Sequence, residues 1–199
     1  MEKIICVFGD SITFGSWDPD KGGWVSRLRS YIESKGDEVT IYNCGVSGDN
    51  TIGLLKRFKI EAIAREPTII LFAIGINDSQ YNKSKNNPRV PINVFQGNLQ
   101  KLLNQAKDFT SKVVFVGLTK VDESKTMPIP WGPTKYYDEE NVCLYDSKIK
   151  EIADKNKFPY IKMFDLLGNK DLEDGLHPNS EGHHKIFLKI KDTISTILK

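Results

Sequence analysis

The sequence predicts an α/β fold, a parallel sheet covered by helices on both faces in a three-layer α/β/α sandwich. Two observations carry this. Five short runs rich in Ile, Val and Phe lack the polar alternation of half-exposed strands, as strands buried on both faces do. Between them lie amphipathic segments, the crossover helices that parallel neighbours require.

The first run, Lys3–Phe8, stops at Gly-Asp-Ser. Trp24–Ser34 reads as the first helix, with Trp24 as its core anchor, and Glu38–Asn43 as the second strand. Thr51–Arg65 sets Ile52, Leu55, Phe58 and Ala62 on one side and has an Asn or Thr at its start to cap it. Thr68–Ile74 is the third strand. Val94–Phe109 follows, with Leu99, Leu102, Leu103 and Ala106 at helical spacing, and then the strand Lys112–Leu118. Asp138–Asn156 repeats Val142, Tyr145, Ile149 and Ile152 every three or four positions. The last strand is Tyr160–Phe164, and the last helix, Ser180–Leu198, carries Phe187, Ile190, Ile194, Ile197 and Leu198 on one stripe.

Two long segments read as loops, Ser79–Pro91 and Thr119–Lys135. Both follow the carboxyl end of a strand, the edge where open α/β sheets bind ligands. Loops of this length are often functional, although mobile surface insertions would look the same.

The 199 residues suit one domain spanning 1–199. Hydrophobic residues make up 39% and charged residues 27%, which argues against disorder. Net charge is +2, from 28 basic against 26 acidic residues, so no electrostatic footprint for nucleic acid or an anionic membrane is evident. No run approaches a membrane span or a signal-peptide core. The chain as given therefore reads as cytoplasmic, although a secreted form whose leader had been removed would read identically. Cys6, Cys44 and Cys143 show neither a pairing pattern nor zinc-site spacing and read as structural thiols. No GxGxxG follows the first strand and no P-loop lysine is present, so no cofactor and no metal are expected. Nothing in the sequence sets an oligomeric state.

Four short motifs follow four strands: "GDSIT" at 9–13, "NCGVSGDNT" at 43–51, "GINDS" at 75–79 and "DGLHPN" at 174–179. A parallel sheet brings its strand carboxyl ends to one edge, so segments more than 160 residues apart can meet there. Taken singly, Ser11 is a turn residue, Asn77 an Asx-turn and His177 a helix-start histidine. Together, in this order, the motifs resemble those of the SGNH, or GDSL-like, hydrolases across nearly the whole chain. The resemblance implies a flavodoxin-like sandwich with strand order 2-1-3-4-5 and a serine hydrolase acting on small-molecule esters. It maps the four family letters onto Ser11, Gly48, Asn77 and His177, with Gly48 preferred over Gly45.

The chemistry agrees. A serine hydroxyl is a poor nucleophile until a base takes its proton, and the His177 imidazole is the candidate base, able to accept and later donate a proton. Asp174, three residues earlier on one turn, can hold the ring's tautomer. Pro178 disfavours helical geometry at His177 and keeps that turn extended. Oxyanion donors are the amides of Ser11 and Gly48 and the side chain of Asn77. Asp10 and Asp78 shape the turns, and Asp78 is also a candidate for the pocket wall. Asp49 caps the Thr51 helix or its approach. His183 and His184 read as structural or solvent-facing. Trp17, Met127 and Trp131 are the other pocket candidates, able to wall an acyl site or stack on a sugar ring, and Asp18 and Asp20 at the rim would disfavour anionic substrates. Short acyl or acetyl esters lead. A thioesterase or lysophospholipase on the same residues, or a non-catalytic binding module that keeps the pocket, stays open.

Overall fold

The computed structural model describes residues 3–36 and 38–198. In chain order the elements are β1 (Lys3–Gly9), α1 (Ser11–Phe14), α2 (Gly23–Glu33), β2 (Val39–Gly45), α3 (Thr51–Arg65), β3 (Ile69–Ala73), β4 (Tyr81–Asn82), α4 (Ile92–Ala106), β5 (Val113–Val116), α5 (Glu123–Thr126), β6 (Lys135–Tyr136), α6 (Glu139–Asn156), β7 (Tyr160–Ile161) and α7 (Ser180–Leu198), with a 3-10 turn at Asn169–Asp171. The main sheet runs β2-β1-β3-β5-β7 and all its pairs are parallel. This is the order 2-1-3-4-5 when only the five long-range strands are counted.

Both faces of the sheet are covered, which explains the apolar runs. Cys6, Phe8, Ile70, Phe72 and Phe115 point into one core with α3, α4 and α6. Ile5, Val7, Leu71, Val114 and Val116 point into the other with α2 and α7. Trp24 is buried in that second core. On α3, Phe58 and Ala62 are buried as the sequence predicts and Leu55 packs partly buried on the core, but Leu54 takes the buried place at the first turn and Ile52 is 40% exposed. Asn50 caps α3 by accepting from the Gly53 amide at 3.0 Å. Asp49 serves the approach to the helix, its Oδ1 accepting from the Asn50 amide at 3.0 Å, while its Oδ2 pairs with Arg57 at 2.8 Å.

The strands β5 and β7 stop earlier than their apolar runs. Past Val116, the Leu118 amide donates to Asp146 Oδ1 at 2.8 Å rather than to a neighbouring strand. The two long loops are not free insertions. They pair with each other, β4 antiparallel to β6, with the Tyr81 and Tyr136 rings stacked at 5.6 Å. This pairing joins segments far apart in sequence through two residues each, too short to show a period. Cys6 and Cys44 are buried, Cys143 is exposed, and all three are free thiols. Among the described residues no helix is long and apolar enough to cross a membrane.

The core beneath the sheet edge is aromatic. Phe72 is 1% exposed and its ring lies 5.4 Å from Phe58, 5.8 Å from Phe115 and 6.2 Å from Phe8. Truncating it removes all three contacts and leaves a cavity under the strand ends. Phe72→Ala is expected to lower unfolding free energy by about 3–5 kcal/mol in urea denaturation; a loss under about 1 kcal/mol would contradict this packing.

Candidate active site

The end of β1 sets the first group. Asp10 turns the chain by accepting from the Ile12 amide at 3.0 Å, which caps α1 and leaves Ser11 as its first residue. The Ser11 hydroxyl lies 2.9 Å from His177 Nε2. His177 stands on the turn before α7. Asp174 Oδ1 accepts from the amides of Leu176 at 3.0 Å and His177 at 2.8 Å, and this closes the turn. The other oxygen, Oδ2, meets His177 Nδ1 at 2.7 Å. An ionised carboxylate only accepts, so the ring proton sits on Nδ1 and Nε2 is left to accept from Ser11. Burial works against the Asp174 charge, but the His177 ring and the two amides outweigh it and hold the carboxyl below its usual range.

The end of β2 brings Gly48. Its φ of +77° is left-handed, and a Cβ there would meet nothing within 4 Å, so its backbone faces open space. Gly45, by contrast, packs against α1: a Cβ would lie 2.3 Å from the Phe14 nitrogen. Of the two glycines, Gly48 is the one that lines the crevice. Among the described residues neither its amide nor that of Ser11 has an acceptor.

The end of β3 brings Asn77. Its Nδ2 donates to the Asp49 carbonyl at 2.9 Å, which leaves one N–H directed elsewhere. Its Oδ1 accepts from the Tyr137 hydroxyl at 2.9 Å and from Arg89 Nη1 at 3.3 Å. Gln80 donates to Tyr137 in turn, at 2.8 Å. Arg89 also donates to the Gly48 carbonyl at 2.7 Å, so one guanidinium ties the Gly48 loop to Asn77.

These groups line one crevice of roughly 340 Å³. Trp17 and Trp131 wall it, 55% and 51% exposed, and the Trp131 ring centre is 5.9 Å from that of His177. Trp17 sits at φ +67°, a left-handed conformation rare for a bulky residue.

Three expectations are overturned. Asp78 does not reach the crevice: it is fully buried and accepts from the Thr51 amide at 3.0 Å and from the Thr51 hydroxyl. It works as a strut from the β3 turn to the start of α3. Met127 is also absent from the lining, and Ile129 takes that wall instead. Asp18 is buried and paired with Arg27 at 2.9 Å, so it puts no free negative charge at the rim; Asp20 is exposed. His183 is buried and donates from Nε2 to the Ser16 carbonyl at 2.9 Å, a structural bond. Sequence reasoning missed Arg89, Tyr137, Gln80 and Lys135. All four lie in or beside the two long loops, and the only signal was the placement of those loops at strand ends. Among the described residues no group of His, Cys, Asp and Glu is arranged to hold a metal.

The comparisons with known proteins agree with this geometry. A profile of the GDSL-like lipase/acylhydrolase family matches residues 7–185. An arylesterase of Vibrio mimicus is 26% identical over 182 residues, 90% of this chain and 82% of the relative. A lipase/acylhydrolase from Enterococcus faecalis superposes with a TM-score of 0.80 at 24% identity, covering 99% of this chain and 97% of that one. An acetylxylan esterase from Geobacillus stearothermophilus does so with 0.77 at 19% identity, covering 96% and 94%. These two structures share the fold. The chain belongs to the GDSL-like lipase/acylhydrolase family and is an ester-hydrolysing enzyme.

Two carboxyls under the crevice floor titrate far from their ordinary range. Burial pushes Asp10 up to about 7 against the bond from Ile12, and pushes Asp78 up to about 7 against the bonds from Thr51. Each therefore holds its proton more tightly when folded than when unfolded, where a carboxyl titrates near 4. Between about pH 4 and 7 unfolding releases these protons, so their contribution makes stability fall as pH rises through that window. Asp78→Asn removes one of the two titrations. The slope of unfolding free energy between pH 5 and 7, measured in urea, is expected to become less negative than in the wild type. An unchanged slope would contradict a neutral Asp78 in the folded protein.

Proposed function

We propose that the protein cleaves short-acyl carboxylic esters through Ser11, His177 and Asp174 by way of an acyl-enzyme. The observation that carries this reading is the unbroken line of hydrogen bonds from Ser11 Oγ through His177 to Asp174, 2.9 Å and 2.7 Å. His177 Nε2 takes the Ser11 proton as Oγ bonds to the ester carbon. The carbonyl oxygen becomes an oxyanion, received by the amides of Ser11 and Gly48 and the remaining Asn77 N–H. The carbon–alkoxy bond breaks, and the departing oxygen takes the proton from His177. Water then attacks the acyl group by the same route, with His177 again as base, and Ser11 is restored.

Tyr137 and Arg89 both donate to Asn77 Oδ1, which fixes which end of the amide faces the reacting centre. Donors on the oxygen also polarise the amide, and this strengthens its N–H as a donor. Short acyl groups fit best because the crevice is open and of modest size. The apolar cavity behind α1, between Ile12, Trp24 and Met163, holds only about 30 Å³, too little for an acyl chain.

Ser11→Ala is expected to lower kcat for p-nitrophenyl acetate on the order of 10⁶-fold. Asp174→Asn is expected to lower it on the order of 10⁴-fold through the wrong tautomer. Asn77→Ala is expected to lower kcat by about 10²–10³-fold with KM little changed. Wild-type turnover from purified Ser11→Ala would sink the mechanism. A loss in Asn77→Ala confined to KM would remove Asn77 from the oxyanion site.

A further inference from the structure

The reaction scheme leaves a charge in the crevice unused. Arg89 and Lys135 both line it, and no Asp or Glu does. Arg89 is exposed, and among the described residues it has no carboxylate within 4.0 Å, whereas Arg27, Arg29, Arg57 and Arg65 each have one. Two of its five N–H groups are spent on Gly48 and Asn77, which leaves three beyond those bonds. Asp78 lies beneath and its field reaches Arg89, but its carboxyl is fully buried and bonded to Thr51. Lys135 is likewise exposed, with no hydrogen-bond or ion-pair partner for its ammonium among the described residues. Its position is fixed from both sides: its amide donates to Gly132 at 2.8 Å and its carbonyl accepts from Ile129 at 3.0 Å. Two cations with no paired carboxylate among the described residues, in one concave site with Ser16, Ser47 and Gln80 as further polar groups, form a receptor for an anion.

We propose that the enzyme prefers esters whose alcohol part carries a second, anionic group, a carboxylate, sulfate or phosphate, held by Arg89 and Lys135. This rests on the esterase reading above. The alcohol part is chosen because Lys135 shares its wall with Trp131, whose ring stands beside His177, and His177 hands its proton to the departing alcohol. The reversal of the sign expected from Asp18 follows from the same geometry: its charge is turned inward onto Arg27.

The test compares kcat/KM for 4-acetoxybenzoate with that for its neutral methyl ester, each normalised to its rate with hydroxide. Phenyl hemisuccinate against phenyl acetate places the charge on the acyl side instead. At low salt the anionic acetoxybenzoate is expected to lead its neutral partner by about fivefold. The lead should shrink towards one at 0.5 M NaCl in the wild type, and Lys135→Glu, checked by circular dichroism, should push the ratio below one. A ratio of one or less with the neutral ester still hydrolysed overturns the anion site and leaves the esterase standing. A preference seen only with the hemisuccinate, or one indifferent to salt and to Lys135→Glu, overturns it as well. No hydrolysis of any of the four esters takes the esterase reading down with it.

Discussion

Arg57 reaches from α3 to the ends of two strands at once. Its guanidinium donates to the Gly9 carbonyl at 3.1 Å, the Cys44 carbonyl at 2.9 Å and Asp49 Oδ2 at 2.8 Å. Where β1 and β2 leave the sheet, the Gly9 carbonyl accepts from the Val46 amide at 3.0 Å as well as from Arg57, and buried backbone polar groups without partners are costly. Arg57 adds a side-chain donor to a carbonyl at the end of each strand. The residue after Gly9 is Asp10, the cap that presents Ser11. Three residues after Gly45 comes Gly48. One side chain on α3 thus bridges the strand ends that lead to Ser11 and to Gly48.

The same logic holds the third loop. Asp78 binds the Thr51 backbone and hydroxyl, and Asn98 donates to that hydroxyl at 3.1 Å, so the Asn77 turn is tied to α3 and α4 from below. From above, Tyr137 and Arg89 hold the Asn77 amide. These last two come from the long loops, which also build the outer wall through the β4–β6 pair. Scaffold and specificity therefore divide by position. Short turns near the strand ends carry Ser11, Gly48, Asn77 and His177, while residues in or beside the long loops hold the Asn77 amide and wall the crevice.

The fold was legible because both sheet faces are buried and the helices are amphipathic; α3 and α7 begin and end where periodicity put them. That Ser11, Gly48, Asn77 and His177 share one crevice was legible because a parallel sheet gathers strand ends and because the motifs resemble those of the SGNH hydrolases. What the sequence could not reveal were pairings without period or motif. Arg89 is a single cation in an Asn-rich loop, and nothing local says that it reaches Gly48 and Asn77. Tyr137 follows a two-residue strand whose partner lies over fifty positions earlier. Asp78 and Asp18 were misread for a related reason: a carboxylate beside a site faces either the solvent or the backbone, and only three-dimensional partners decide. Met127 was placed by its loop, but the loop's turn puts Ile129 inward instead.

The account stands on Ser11 being the activated nucleophile of this crevice, because every other assignment is made relative to it. Treating the folded protein with a fluorophosphonate and locating the adduct by peptide mass spectrometry tests that directly. The account predicts one phosphonyl group per chain on the peptide bearing Ser11, and none after His177→Ala. Stoichiometric reaction at a different residue, or no adduct on a protein that still hydrolyses esters, would contradict it.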